Sequence, residues 1–306
     1  MSLLTYEPLA AEDEPVVAAL RAGTLPHKGA ILGPEARPFF DAMRAATPLP
    51  PGVRLEPDMV GGVPGLWCRP ADARAGRALL FLHGGGYMMG SAEAMTGYAG
   101  QLAIRARADA FVPDYRLAPE HPFPAAVDDA FAVYRALASQ TDAELALAGE
   151  SAGGGLTVAL LTLIRAEPAL RSPAGAAVMS PWVDLTLSGS SYANRAEADP
   201  IFTQEALRAL AAKYLQGHSP EDPRASPLRA DLSGLPPLRI DVGDDEVLLD
   251  DALRLAERAG SAGVLVTGAV WAGMPHVFQA QVGRLSAARR ALDAAGEFLR
   301  ARWRAR

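Results

Sequence analysis

The sequence predicts an α/β fold in which a mostly parallel sheet is covered by helices on both faces. Short apolar runs alternate with longer helical patterns from about residue 77 to residue 183, and the same rhythm returns after residue 235. The apolar runs, such as RALLFL and AELALAG, are nearly continuous, which is typical of strands that are buried on both faces. Regular alternation of strands and helices indicates parallel pairing through helical crossovers.

The rhythm stops between residues 184 and 235, in a stretch rich in Ser, Pro and Asp. This stretch holds one helical pattern, for which Thr203 is the expected N-cap. We therefore predict a helical cap insertion at 184–235 that interrupts one α/β domain, formed by residues 51–183 and 236–306.

Before that domain, residues 1–50 contain one or two helical stretches, near 14–21 and 36–46, which we assign to the N-terminal part of the cap. The alternating pattern of residues 53–69 then predicts a β-hairpin.

Composition excludes several classes of function. A formal net charge of −6 gives no basic footprint for nucleic acid or anionic lipid. The single cysteine, Cys68, excludes an intrachain disulfide, and no Cys/His cluster has the spacing of a metal site. Neither a secretory signal nor an apolar run of membrane-spanning length occurs, so we expect a cytoplasmic protein without a membrane span.

The segment GESAG, residues 149–153, matches the pattern G-x-S-x-G. It follows an apolar strand and opens an apolar helix, which is the context of a serine held on a sharp turn. Glycines on both sides let the backbone pack closely around Ser151. The alternative is a glycine-rich turn with a capping serine, so Ser151 needs a base and a carboxylate to count as a nucleophile.

Chain order selects the base, since a serine on such a turn is followed by its acid and then by its histidine. Of the five histidines, only two follow Ser151, and His218 lies in the predicted cap. His276, in a loop after the last apolar strand, is therefore the predicted base.

The acid is less well determined by its position. The segment RIDVGDDEVLLDD, residues 239–251, offers six carboxylates, Glu246 among them. Asp241 lies inside the predicted strand, and the pair at residues 250–251 opens the following helix. The loop pair Asp244 and Asp245 remains, and spacing does not separate the two.

The motifs HGGGY, DYRLAPEHPFPAAVDD, GESAGG, DEVLLDD and MPHVF occur in this order between residues 79 and 278. As a set they resemble the hormone-sensitive-lipase-like family of α/β-hydrolases, the bacterial family IV esterases. The resemblance implies the α/β-hydrolase fold, with residues 51–183 and 236–306 as its catalytic domain.

The resemblance also assigns roles to single residues. Ser151 is the nucleophile, and aligning DEVLLDD with the family's acid motif places the acid at Asp245. His276 is the base, although Val277 stands where the family usually has glycine. The oxyanion hole consists of the backbone N–H groups of Gly85, Gly86 and Ala152.

Two other residues of these motifs receive structural roles. His83, beside the three glycines, is expected to shape the loop through a hydrogen bond from its ring to nearby backbone. The stretch 114–116 is expected to hold the glycine loop in place.

These assignments predict a serine carboxylesterase for short- to medium-chain carboxylic esters that forms an acyl-enzyme and needs no metal or organic cofactor. The same groups are compatible with cleavage of a lactone, a carbamate or an amide. A non-catalytic small-molecule receptor is disfavoured because all three catalytic groups are present, and a nucleotide site because no phosphate-binding glycine motif occurs. The resemblance is compatible with a homodimer. The predicted substrate-binding residues are Tyr87, Met88, Trp182, Phe202 and Phe278.

Overall fold

A computed structural model describes residues 4–30, 33–140 and 142–304. The strands found there are β1 (Thr5–Glu7), β2 (Val53–Val60), β3 (Val63–Pro70), β4 (Arg77–Leu82), β5 (Asp109–Pro113), β6 (Glu144–Glu150), β7 (Ala176–Met179), β8 (Leu238–Gly243) and β9 (Val266–Trp271). The α-helices found there are α1 (Glu14–Thr24), α2 (Arg37–Ala45), α3 (Ala92–Ala106), α4 (Ala125–Gln140), α5 (Ala152–Ala166), α6 (Ser191–Asn194), α7 (Gln204–Leu215), α8 (Leu249–Ser261) and α9 (Ser286–Arg304).

The strands of the described ranges form one sheet in the order β1-β9-β8-β7-β6-β4-β5-β3-β2. Every neighbouring pair from β1 to β5 in that order is parallel, whereas β3 and β2 are antiparallel. The hairpin of β2 and β3 turns at Gly61 and Gly62, which both have positive φ, as a tight two-residue turn requires. The predicted α/β fold with a mostly parallel sheet is confirmed.

Each face of the sheet carries its own apolar core, because side chains alternate along a strand. On β4, Leu80 and Leu82 enter the core that is shared with α4, α5 and α8. Leu79 and Phe81 enter the core on the opposite face, which is built with α3 and α9. The apolar strands are therefore buried on both sides, as their continuous hydrophobicity indicates.

Within residues 1–50, predicted as the N-terminal part of the cap, the first strand belongs to the sheet. β1 pairs in parallel with β9 and extends the sheet at its edge. Asp13 is buried and accepts hydrogen bonds from the backbone N–H groups of Ser286 (2.7 Å) and Ala287 (2.9 Å) at the start of α9. β1 is only three residues long, so its sequence shows no hydrophobic periodicity that would predict a strand.

The insertion 184–235 contains α6 and α7, and its main helix begins as predicted. The hydroxyl of Thr203 accepts a hydrogen bond from the N–H of Ala206 at 3.1 Å, so Thr203 is the N-cap. Leu207, Leu210 and Tyr214 of α7 are buried against the core of the α5 face. None of the helices in the described ranges combines the length and the apolar character that a bilayer-spanning helix requires.

Replacing Asp13 tests the connection between the N-terminal segment and α9. Burial raises the pKa of Asp13, but the hydrogen bonds from Ala287 and Ser286 together lower it by more than burial raises it. The pKa of Asp13 therefore lies below its usual value. The ionised carboxylate of Asp13 therefore stabilises the folded protein at pH values above the ordinary aspartate pKa. This stabilisation is lost as the pH falls through the lower pKa that Asp13 has in the folded protein. We expect Asp13→Ala to reduce the free energy of unfolding at neutral pH by about 1 kcal/mol, as loss of a helix cap does.

Urea denaturation at neutral pH measures this difference, with the exposed neighbour Glu12→Ala as the control. Equal stability of the two variants would show that the carboxylate of Asp13 does not anchor α9.

Candidate functional site

Five loops meet at the carboxyl edge of the sheet, where β9, β8, β7, β6 and β4 lie side by side. The carboxyl edge of a parallel sheet is where open α/β folds place their ligand sites. Ser151 follows β6, Ser180 follows β7, Glu246 follows β8, and His276 follows β9. The glycine loop, residues 84–90, follows β4.

Ser151 occupies the sharp turn between β6 and α5, with φ 55° and ψ −123°. A Cβ atom on Gly149 would lie 2.3 Å from the carbonyl oxygen of Gly153, and one on Gly153 would lie 2.1 Å from that of Leu82. Both positions therefore require glycine. The carbonyl of Ser151 accepts a hydrogen bond from Trp182 N–H at 3.0 Å, which ties the turn to the loop after β7.

A chain of hydrogen bonds joins three side chains at this edge. The Nε2 atom of His276 lies 2.8 Å from Ser151 Oγ, and its Nδ1 atom lies 2.7 Å from Oε2 of Glu246. A carboxylate can only accept, so Nδ1 donates to Glu246 and Nε2 is free to accept from the serine hydroxyl. The predicted pair Ser151 and His276 is thus brought together.

The acid that contacts His276 is Glu246, so the prediction that Asp245 fills this position is wrong. Glu246 is fully buried, and its Oε1 atom accepts hydrogen bonds from Ser180 Oγ and from Gly243 N–H, both at 2.7 Å. These two donors fix the carboxylate with its other oxygen directed at the imidazole.

The two neighbouring aspartates are engaged elsewhere. Asp245 forms an ion pair with Arg21 of α1 at 2.9 Å, and burial raises its pKa. Asp244 accepts hydrogen bonds from Gly273 N–H at 2.8 Å and from Tyr6 Oη at 2.9 Å. Three consecutive acids in a tight turn point in three directions, and spacing in the sequence does not resolve which direction leads to His276.

The predicted oxyanion donors lie in the glycine loop and at the start of α5. Within the described ranges, the N–H groups of Gly85, Gly86 and Ala152 have no acceptor in the protein. Unpartnered N–H groups are rare in folded proteins. The loop packs close to the serine turn, since a Cβ on Gly153 would also lie 2.3 Å from the carbonyl oxygen of His83.

His83 is fully buried beneath the glycine loop and does not belong to the hydrogen-bond chain of Ser151. Its Nδ1 atom donates to the carbonyl of Gly84 at 2.8 Å, and its ring stacks on Tyr115 with centroids 4.2 Å apart. Burial lowers the pKa of His83, so the neutral ring is favoured. These contacts agree with a role in shaping the loop.

The stretch 114–116 holds the glycine loop only in part. Tyr115 Oη donates to the carbonyl of His83 at 2.6 Å, and Asp114 accepts from Ala92 N–H at 2.6 Å where the loop enters α3. Arg116 instead forms an ion pair with Asp129 of α4 at 2.7 Å.

Three of the five predicted substrate-binding residues lie on elements that surround the serine and the histidine. Phe202 meets the ring of His276 edge-on, with centroids 5.0 Å apart. Tyr87 stacks on Tyr214 of the cap at 3.9 Å, and Trp182 packs 6.3 Å from Tyr87.

The other two predicted substrate-binding residues are buried in the apolar cores, as Tyr87 and Trp182 also are. Met88 is fully buried in the α5-face core, and Phe278 packs against Trp271 in the core of the opposite face. The sequence does not show whether an apolar residue beside a motif faces the site or the core.

A further acid of the site, Asp199 in the insertion, was not identified from the sequence. It is fully buried and accepts hydrogen bonds from the N–H groups of Val247 (2.8 Å), Ile201 (2.7 Å) and Phe202 (2.8 Å). Burial raises its pKa more than these hydrogen bonds and the nearby His276 lower it. Asp199 therefore connects the cap to the acid loop and orients the backbone at Phe202.

Comparisons with known proteins agree with this geometry. A family model described as the alpha/beta hydrolase fold matches residues 79–280. An acetyl-hydrolase of Streptomyces hygroscopicus is 44% identical over 243 residues, which cover 79% of this chain and 81% of that protein.

Solved structures extend the match to nearly the whole chain. The crystal structure of the esterase EstE5 superposes on this chain with a TM-score of 0.90 at 39% identity, covering 97% of this chain and 100% of EstE5. An esterase from the bacterial hormone-sensitive lipase family superposes with a TM-score of 0.89 at 39% identity, covering 96% of this chain and 99% of the other. The chain therefore belongs to the α/β-hydrolase fold family and, within it, to the hormone-sensitive-lipase-like esterases.

Proposed function

We propose that this protein hydrolyses carboxylic esters with Ser151 as nucleophile, His276 as general base and Glu246 as the acid that orients it. The observation that carries this proposal is the continuous hydrogen-bond chain from Ser151 Oγ through both nitrogens of His276 to Glu246. A serine hydroxyl is a weak nucleophile unless a positioned base removes its proton. The chain supplies that base in the required tautomer.

The reaction proceeds in two halves. Ser151 Oγ attacks the ester carbonyl while Nε2 of His276 takes its proton, and the imidazolium is stabilised by the buried carboxylate of Glu246. His276 then protonates the leaving alcohol, and an acyl group stays on Ser151. Water attacks this acyl-enzyme while His276 takes one of its protons, and the imidazolium returns that proton to Ser151 Oγ as the carboxylic acid leaves.

The negative charge on the tetrahedral intermediate is assigned to the N–H groups of Gly85, Gly86 and Ala152. They lack acceptors in the described protein, and donors already fixed in a dry site cost no reorganisation during the reaction. One such donor contributes on the order of 3 kcal/mol of transition-state stabilisation.

The burial of Ser151 among apolar side chains supports short- to medium-chain acyl groups. Ser151 is only 7% exposed, and Phe202 lies against His276. On the other side, a Cβ on Gly86 would lie 3.2 Å from the Leu210 side chain of the cap. The similarity to an acetyl-hydrolase points to small acyl groups as well. The cytoplasmic location and the homodimer stay predictions from the sequence.

Removal of the nucleophile gives the first test. We expect Ser151→Ala to lower the rate of p-nitrophenyl butyrate hydrolysis by at least about 10⁴-fold, because the acyl-enzyme cannot form. A fluorophosphonate should label the wild type and leave Ser151→Ala unlabelled. Replacing the exposed Ser139 by alanine is the control, and equal rates for Ser151→Ala and wild type would end the proposal.

Neighbouring acids give the second test. We expect Glu246→Gln to lower kcat/KM by about 10³- to 10⁴-fold, since an amide no longer stabilises the imidazolium. Asp245→Asn breaks only a half-buried ion pair with Arg21, so we expect kcat/KM to stay within about threefold of the wild type. Both rates are measured on p-nitrophenyl butyrate well below the melting temperature, and the reverse ranking would return the role of the acid to Asp245.

A series of p-nitrophenyl esters tests the acyl preference. Because Phe202 packs against His276 and Leu210 packs beside Gly86, we expect higher kcat/KM for butyrate and octanoate than for palmitate. A maximum at palmitate would contradict the short- to medium-chain assignment.

A further inference from the structure

We propose that helix α2 clamps the glycine loop in the conformation that presents the N–H groups of Gly85 and Gly86 to the ester. In this proposal Arg37 and Arg44 are positioning residues for the reaction, although neither contacts Ser151. The inference rests on the proposed function, because it assigns α2 a role in the same chemistry. It is carried by contacts that join one face of α2 to both ends and the middle of the loop.

The first contact is a buried ion pair behind the beginning of the loop. Arg44 is 9% exposed and Glu150 2% exposed, and their Nη2 and Oε1 atoms are 2.6 Å apart. The same Oε1 atom accepts the N–H of Gly84 at 2.8 Å. Glu150 therefore connects Arg44 of α2 to Gly84, the first residue of the loop.

The second contact holds the middle of the loop. The Nε atom of Arg37 donates to the carbonyl of Met88 at 2.9 Å, and its Nη2 atom donates to the carbonyl of Ala118 at 3.0 Å. An ion pair with the exposed Glu120, at 2.6 Å, also holds the guanidinium of Arg37 in place. The planar fork of arginine satisfies all three acceptors at once, which a lysine cannot do.

The third contact lies where the loop enters α3. Ser91, the N-cap of α3, donates its hydroxyl to Asp41 Oδ2 at 3.1 Å. Arg37, Asp41 and Arg44 are spaced by four and three residues, so they share one face of α2. A single helix face thus reaches the start, the middle and the end of the loop.

The loop needs such support because its backbone is conformationally free. Gly85 and Gly86 have φ of +116° and +62°, values that glycine adopts without a steric penalty but does not prefer over others. Donors to an oxyanion must be held close to their final positions, since a displacement of about 1 Å can cost up to about 100-fold in rate. α2 supplies the restraint that the glycines themselves lack.

The test compares Arg37→Ala with Arg69→Ala. Arg69 is a similarly exposed arginine that forms ion pairs with Glu56 and Asp109 on the hairpin side of the sheet, away from the loop. We expect Arg37→Ala to lower kcat for p-nitrophenyl butyrate by about tenfold with KM little changed, because a misplaced oxyanion donor weakens the transition state selectively. Arg69→Ala should keep the wild-type kcat, and Arg37→Lys should fall between Arg37→Ala and the wild type.

A second variant addresses the buried pair without leaving a lone charge. Arg44→Met combined with Glu150→Gln removes both charges, while the amide oxygen of the new side chain can still accept the N–H of Gly84. We expect this double variant to lower kcat as Arg37→Ala does.

Hydrogen exchange gives a readout that does not depend on turnover. Peptides covering residues 84–91 should exchange faster in Arg37→Ala and in the double variant than in the wild type or Arg69→Ala. Unchanged exchange in this segment together with wild-type kcat would overturn the clamp, even if the melting temperature falls. Failure of the esterase assignment itself would appear separately, as equal rates for the wild type and Ser151→Ala.

Discussion

The site depends on a backbone turn that only closely packed glycines permit. Ser151 sits at positive φ between β6 and α5, and the positions of Gly149 and Gly153 leave no space for a Cβ atom. The turn lifts the hydroxyl out of the sheet and brings the first turn of α5 against the end of β4. The loops after β4, β7 and β9 are placed relative to this hydroxyl, because all three contact the turn or the serine itself.

Around the turn, polar groups are fixed by hydrogen bonds instead of by hydrophobic packing alone. The hydroxyl of Ser180 makes two of these hydrogen bonds: it donates to Glu246 and accepts the N–H of Val277 at 3.2 Å. One residue after β7 thus connects the acid loop to the histidine loop. A buried carboxylate with all its partners in place keeps its orientation, as the role that we propose for Glu246 beside the base His276 requires.

The insertion 184–235 and the N-terminal helices contact the site directly. The insertion brings Phe202 to His276 and buries Asp199 against the acid loop, while α1 engages Asp245 and Arg37 of α2 donates to the glycine loop at Met88. The N-terminal segment also joins the sheet through β1. The insertion and the N-terminal helices are therefore connected to the loops of the sheet at the residues to which we assign the chemistry.

Much of this protein is determined locally by its sequence. Strand–helix alternation predicts the sheet and the glycines around Ser151 predict the turn, because both signals are short-range consequences of burial or backbone sterics. The order of the motifs along the chain selects His276. Which of three consecutive acids contacts His276 was decided only in the folded chain. Glu246 holds that position because Ser180 and Gly243 capture one of its oxygens, whereas Arg21 and Tyr6 engage its neighbours. Except for Gly243, these partners lie far away in sequence, and no local pattern records a contact between distant segments.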